Sequence, residues 1–178
     1  PLLLIGASAL LAYFKQERWF MLVFILTLVS FVTGIIGGAA ALLGESPVDA
    51  DAVVLEGVYS SIDRAARNRM IIRFGEIGRW LTPLLVWQIG PRLGVSPDAL
   101  APIAAIHRLD APVMIIAGTD DQRTQPDESK ALYLRARSPK RLWLIHGARH
   151  ENLHRHSPVD YERQVLDFFA RYLAEPAV

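Results

Sequence analysis

The 178-residue chain contains no cysteine, which excludes a disulfide scaffold, a thiolate zinc site and a cysteine nucleophile together. It has almost no net charge, with 19 Lys and Arg against 18 Asp and Glu. No basic run breaks that balance, so nothing in the composition favours nucleic acid as a partner. Charge is scarcest in the first 44 residues, where Lys15, Glu17 and Arg18 are the sole charged side chains. Residues 1–14 lack the basic start of a secretory signal, so none is expected. Internal repeats and low-complexity tracts are absent as well.

What the chain does have is uneven. Residues 19–43 form a run of 25 without a charge, longer than the ~20 that a helix needs to cross a bilayer. Residues 1–33 are therefore read as an apolar segment, either a membrane helix or an aberrant N-terminus, with membrane contact through 19–43. If that helix inserts, Lys15 and Arg18 favour a cytoplasmic amino side; otherwise a cytoplasmic location is expected. From Glu45 onward the remaining seventeen basic and seventeen acidic residues make an ordinary soluble mixture. At this length one domain with a substantial core is expected.

Past Glu45 the pattern alternates between strand and helix, which predicts an α/β fold with a mostly parallel sheet and flanking helices. Ala52-Val53-Val54-Leu55 is a short β-branched run, and Ser60-Ser61-Ile62-Asp63 opens a helix with a hydroxyl cap. Over 64–94 the interruptions at Gly75, Gly78 and Pro83 predict two or three short helices. Ser96-Pro97-Asp98 restarts a helical turn. Residues 112–117 form the clearest strand, 125–137 a helix, and 140–145 the next strand. The final helix, 158–173, is amphipathic, with Val159, Val165, Leu166, Phe169 and Tyr172 at helical spacing. Trp80, Trp87 and the neighbouring leucines are expected in a core.

Two turns carry chemistry. The first strand of the later pair runs into Gly118-Thr119-Asp120-Asp121, the second into Gly147-Ala148-Arg149-His150. With the chain order of the parts, this resembles the C-terminal half of an α/β-hydrolase of the small serine-hydrolase type, over 34–178. The resemblance implies an incomplete α/β-hydrolase fold behind the apolar segment, and ester or amide hydrolysis of a small-molecule acyl substrate without a cofactor. It makes Asp121 the acid and His150 the base, with Asp120 as the alternative acid.

A serine hydroxyl attacks only when an imidazole takes its proton, and the imidazole needs a carboxylate to fix its tautomer. The serine belongs on a Gly-x-Ser-x-Gly turn, where this chain reads Thr33-Gly34-Ile35-Ile36-Gly37. Small residues at 37–43 resemble the helix that follows such a turn. Ile35 then occupies the nucleophile position and has no acyl-accepting atom, while Ser30 and Thr33 precede the turn. The Ile36 N–H is one candidate oxyanion donor, and no Gly-rich loop upstream supplies a second. Hydrolysis is therefore expected to be impaired. The alternatives are a membrane-anchored hydrolase-like domain and a non-catalytic binding module.

The other histidines have plainer readings. His107 is expected at the surface or in packing, His146 as a hydrogen-bonded core residue, and His154 and His156 in solvent. A zinc site from His146, His150, His154 and His156 would need a shared helical face, and the strand followed by Gly147 argues against a helix there.

Overall fold

The computed structural model describes residues 50–173, so the readings placed on 1–49 lie outside the described residues. The first β-branched run becomes β1 (Val53–Glu56). Ser61 caps α1 (Ile62–Phe74), its side chain accepting the Arg64 N–H, as the sequence predicts. Gly75 ends α1 and is followed by α2 (Glu76–Trp87) and α3 (Ile89–Leu93). A 3-10 turn (Pro97–Leu100), α4 (Pro102–Ala105) and a second 3-10 turn (Ile106–Arg108) lead to β2 (Val113–Gly118). Then come α5 (Pro126–Arg135), β3 (Lys140–Ile145), the single turn α6 (Leu153–His156) and α7 (Pro158–Leu173).

The three strands form a parallel sheet in the order β1-β2-β3, with Val53 opposite Val113 and Val113 opposite Lys140. β2 lies in the middle and all six of its residues are buried. Side chains alternate across a strand, so each helical layer receives half of them. Val113 and Ile115 pack with Ile106, Leu109, Leu132 and Ala136. Met114 and Ile116 pack on the opposite side with Ile145, Ala148, Leu153 and Phe168. An apolar run unbroken by polar residues is what such a doubly covered strand needs.

The connection between β1 and β2 holds a separate apolar cluster of Tyr59, Ile62, Ala66, Met70, Leu85 and Ile89, among others. Here the expected interruptions act differently. Only Gly75 breaks the helix; Gly78 and Pro83 lie inside α2. Gly78 is a crossing point, since a Cβ there would sit 2.1 Å from the Met70 carbonyl oxygen of α1. Pro83 is on the exposed side, where its ring meets solvent. The core placement of Trp80 and Trp87 is also corrected: they are 82% and 69% exposed, because Leu85 and Val86 take the buried face instead.

α7 needs a similar correction. Phe168 anchors it, while Tyr161, Val165, Phe169 and Tyr172 pack alongside; Val159 and Leu166 face solvent. Among the described residues, no helix is long and apolar enough to cross a membrane.

Candidate active site

The turns that carry Asp121 and His150 leave the carboxyl ends of β2 and β3 side by side, because those strands pair in register up to Gly118 and Ile145. The turns are also stitched together directly. Thr119 N–H donates to the Ile145 carbonyl at 3.0 Å and Asp120 N–H to the Ala148 carbonyl at 2.9 Å. The Thr119 hydroxyl accepts the Gly147 N–H at 2.8 Å. Gly118 allows this closeness, since a Cβ there would lie 2.1 Å from the Ala148 oxygen.

That stitching brings Asp121 and His150 together. His150 Nδ1 lies 2.8 Å from Asp121 Oδ2. The other carboxylate oxygen, Oδ1, accepts the Arg123 and Thr124 N–H groups at 2.8 and 2.9 Å. Asp121 is 4% exposed, so its oxygens are filled by the protein rather than by water, as a buried charge requires. Nδ1 donating to a carboxylate leaves Nε2 as the ring's lone-pair nitrogen. Nε2 has no hydrogen-bond partner among the described residues, and the His150 side chain is 30% exposed. The imidazole can thus take a proton at Nε2 while the carboxylate holds Nδ1–H.

Asp120 is exposed and accepts from the Thr119 hydroxyl, so of the two neighbouring acids Asp121 is the one that meets the imidazole. Ile35, expected at the nucleophile position, and the Ile36 N–H both lie outside the described residues. His107 is at the surface, as expected. His146 is exposed just past β3 rather than in the core, because the strand ends at Ile145 and the chain turns outward. His154 and His156 are exposed and pair with Glu162 and Glu151. The expectation of no helix beyond Gly147 is corrected in part: Asn152 caps the turn α6 through the Arg155 N–H. Among the described residues, no group of three or more metal-ligating side chains is arranged to hold an ion.

Several neighbours went unseen in the sequence. Tyr59, fully buried, stacks beside His150 with ring centroids 5.8 Å apart, and its hydroxyl accepts from Arg69 at 2.7 Å. Gly57 adopts φ +56°, a conformation that side-chain-bearing residues avoid, and a Cβ there would lie 3.7 Å from His150 Cε1. The Thr124 hydroxyl donates to the Gly57 carbonyl at 3.1 Å, tying the acid turn to the end of β1.

Behind that turn lies Glu128, 0% exposed. Its carboxylate accepts from Ser60 Oγ (2.7 Å), Ser60 N (3.1 Å), Asn68 Nδ2 (2.7 Å) and Gln125 N (3.3 Å). Asn68 donates in addition to the Arg123 carbonyl at 2.9 Å, so the network braces the loop that presents Asp121. The local signal was legible: an acid three residues past Gln125, with Pro126 at the first helical position, is a capping-box pattern. Its long-range donors were not. A cavity of about 600 Å³ lies beside Lys140, Arg141 and Arg171, at the amino end of β3 and away from Asp121 and His150.

No protein-family model matches the chain and no curated protein matches it. Solved structures do. An esterase of Pyrococcus furiosus superposes with a TM-score of 0.56 at 16% identity, over 80% of this chain and 51% of the esterase. A puromycin-hydrolyzing peptidase of Mycobacterium tuberculosis gives 0.57 at 18% identity, over 77% and 20% of the two chains. An acylaminoacyl peptidase of Pyrococcus horikoshii gives 0.52 at 19%, over 76% and 22%. At such identities the likeness is one of fold. The described residues are part of an α/β-hydrolase fold, a three-stranded parallel sheet flanked by helices. The chain spans about half the length of the esterase and about a fifth of the two peptidases.

Proposed function

We infer that this chain carries the acid and base of an acyl hydrolase for small-molecule esters or amides, without a nucleophile to complete it. The observation that supports the reading is the contact of buried Asp121 with His150 Nδ1, with Nε2 left as the base. In a complete relay a hydroxyl oxygen attacks the acyl carbon as its proton moves to Nε2, and the carboxylate stabilises the imidazolium. The proton then passes to the leaving alkoxide or amine, and water repeats the sequence to release the acid. With Ile35 in the nucleophile position the first bond has no donor oxygen, so turnover is expected to be absent or very slow.

Two measurements test this. Purified chain should leave p-nitrophenyl acetate unhydrolysed and resist a fluorophosphonate probe; covalent labelling of any serine would overturn the claim of a missing nucleophile. Independently, ring-nitrogen NMR at neutral pH should show His150 with its proton on Nδ1. Asp121→Asn should disturb that tautomer preference, because an amide can present a donor where the carboxylate only accepts. An unchanged His150 spectrum in the variant would count against the relay.

A further inference from the structure

One face of α2 has no protein partner among the described residues. Ile77, Trp80, Leu81, Leu84 and Trp87 recur at spacings of three, one, three and three, which puts them along one side of a helix. All five are exposed, Ile77 to 69% and Trp80 to 82%. The opposite side of the same helix, with Gly78, Thr82, Leu85 and Val86, is buried. The face is therefore held rigidly outward by the packing of α2 on α1. Ile72 and Phe74, at the end of α1, are exposed beside the hairpin turn.

The charge of the stretch that carries this face is lopsided too. Residues 64–94 contain six arginines and one acid, Glu76, although the whole chain is nearly neutral. Glu76 is taken by Arg79 at 3.6 Å. Arg67, Arg73 and Arg92 are exposed, and none forms an ion pair among the described residues. Two exposed tryptophans on an apolar strip, in an arginine-rich stretch of chain, match the two layers of a lipid interface. Indole rings lodge at the headgroup boundary, aliphatic side chains pass just below it, and guanidinium groups meet anionic headgroups. A second copy of this chain fits less well, because it would set arginines against arginines.

We propose that the α2 face docks peripherally on a bilayer containing anionic lipid, with Trp80 and Trp87 as its anchors. The docking does not depend on the role of Asp121 and His150, and it places the contact on α2 rather than in the apolar run 19–43.

The test is co-sedimentation of the full chain with phosphatidylcholine vesicles, with and without phosphatidylserine. Binding should require phosphatidylserine and weaken as salt screens the arginines. The double variant Trp80→Ser, Trp87→Ser should bind about tenfold more weakly, through the loss of buried apolar area. Both side chains are exposed, so its unfolding midpoint should match that of the parent. A second variant, Arg73→Gln with Arg92→Gln, leaves the apolar strip intact and should lose most of the preference for phosphatidylserine. Undiminished binding of the tryptophan variant would assign the contact to 19–43 and overturn the proposal. No binding, or equal binding to vesicles without phosphatidylserine, would do the same. Lipid-free self-association that the tryptophan substitutions abolish would give the face to a second copy instead.

Discussion

Asp121 and Glu128 are both buried carboxylates, and they are satisfied in different ways. Glu128 accepts only from neutral donors that come from α1, the loop before it and the start of α5. It joins pieces of backbone and has no oxygen turned to the dyad. Asp121 gives one oxygen to two backbone N–H groups and the other to an imidazole. The first oxygen holds the side chain still, and the second is free to orient His150. Gly118 is what permits the two turns to approach. Gly118→Ala would force a Cβ to 2.1 Å from the Ala148 oxygen, and no rotamer change can relieve a backbone clash. It should cost about 3 kcal/mol, the upper end for overpacking, and loosen the Asp121–His150 contact. Denaturant unfolding measures the loss; a cost under about 0.5 kcal/mol, the scale of a neutral surface change, would mean that the close approach is not required.

At the scale of elements, burial depends on which face the neighbours claim. α7 reads as amphipathic from its sequence, and it is, but the stripe is rotated from the expected one. Tyr161, Val165, Phe168, Phe169 and Tyr172 meet the sheet, whereas Leu166 is 64% exposed. Both stripes have helical spacing, and hydrophobicity alone does not choose between them. Phe168→Ala should therefore destabilise the fold by about 3–5 kcal/mol through a cavity under the sheet. Leu166→Ala should change stability by no more than about 0.5 kcal/mol. Chemical denaturation of the two variants side by side checks the assignment, and the reverse ranking would refute it. The α2 helix shows the same ambiguity with a different outcome, its larger apolar side chains lying on the face that has no partner among the described residues.

Across the whole molecule, Tyr161 ties the last helix to the first strand by donating its hydroxyl to Glu56 at 2.6 Å. Burial, followed by that hydrogen bond and the Glu56 charge, pushes its pKa up from 10.0 to about 12. The folded protein thus holds the phenolic proton more tightly than the unfolded chain does. The resulting stabilisation is fully present below the unfolded pKa of 10 and is lost as pH rises through about 12. Denaturation midpoints followed over that window should fall more steeply for the parent than for Tyr161→Phe, after subtraction of their values at neutral pH. A difference spectrum placing the Tyr161 phenolate transition near 10 would refute the shift. Phenylalanine keeps the ring contact with Trp143, so the comparison isolates the hydroxyl.

Three strands, the helix between β2 and β3, the amphipathic last helix and the pairing of an acid turn with a histidine turn were legible along the chain. Each is written in local pattern: a run of β-branched residues, a cap, a glycine before a polar turn. The ring of Tyr59 beside His150, the donors around Glu128 and the outward tryptophans were decided by tertiary structure. All of these join residues far apart in sequence or depend on which face a neighbour covers, and periodicity carries no information about either. By itself the sequence determined that Asp120-Asp121 and His150 each stand in a turn just past an apolar strand. Tertiary structure closed the alternative that the sequence left open, since packing brings Asp121 to the imidazole and leaves Asp120 exposed.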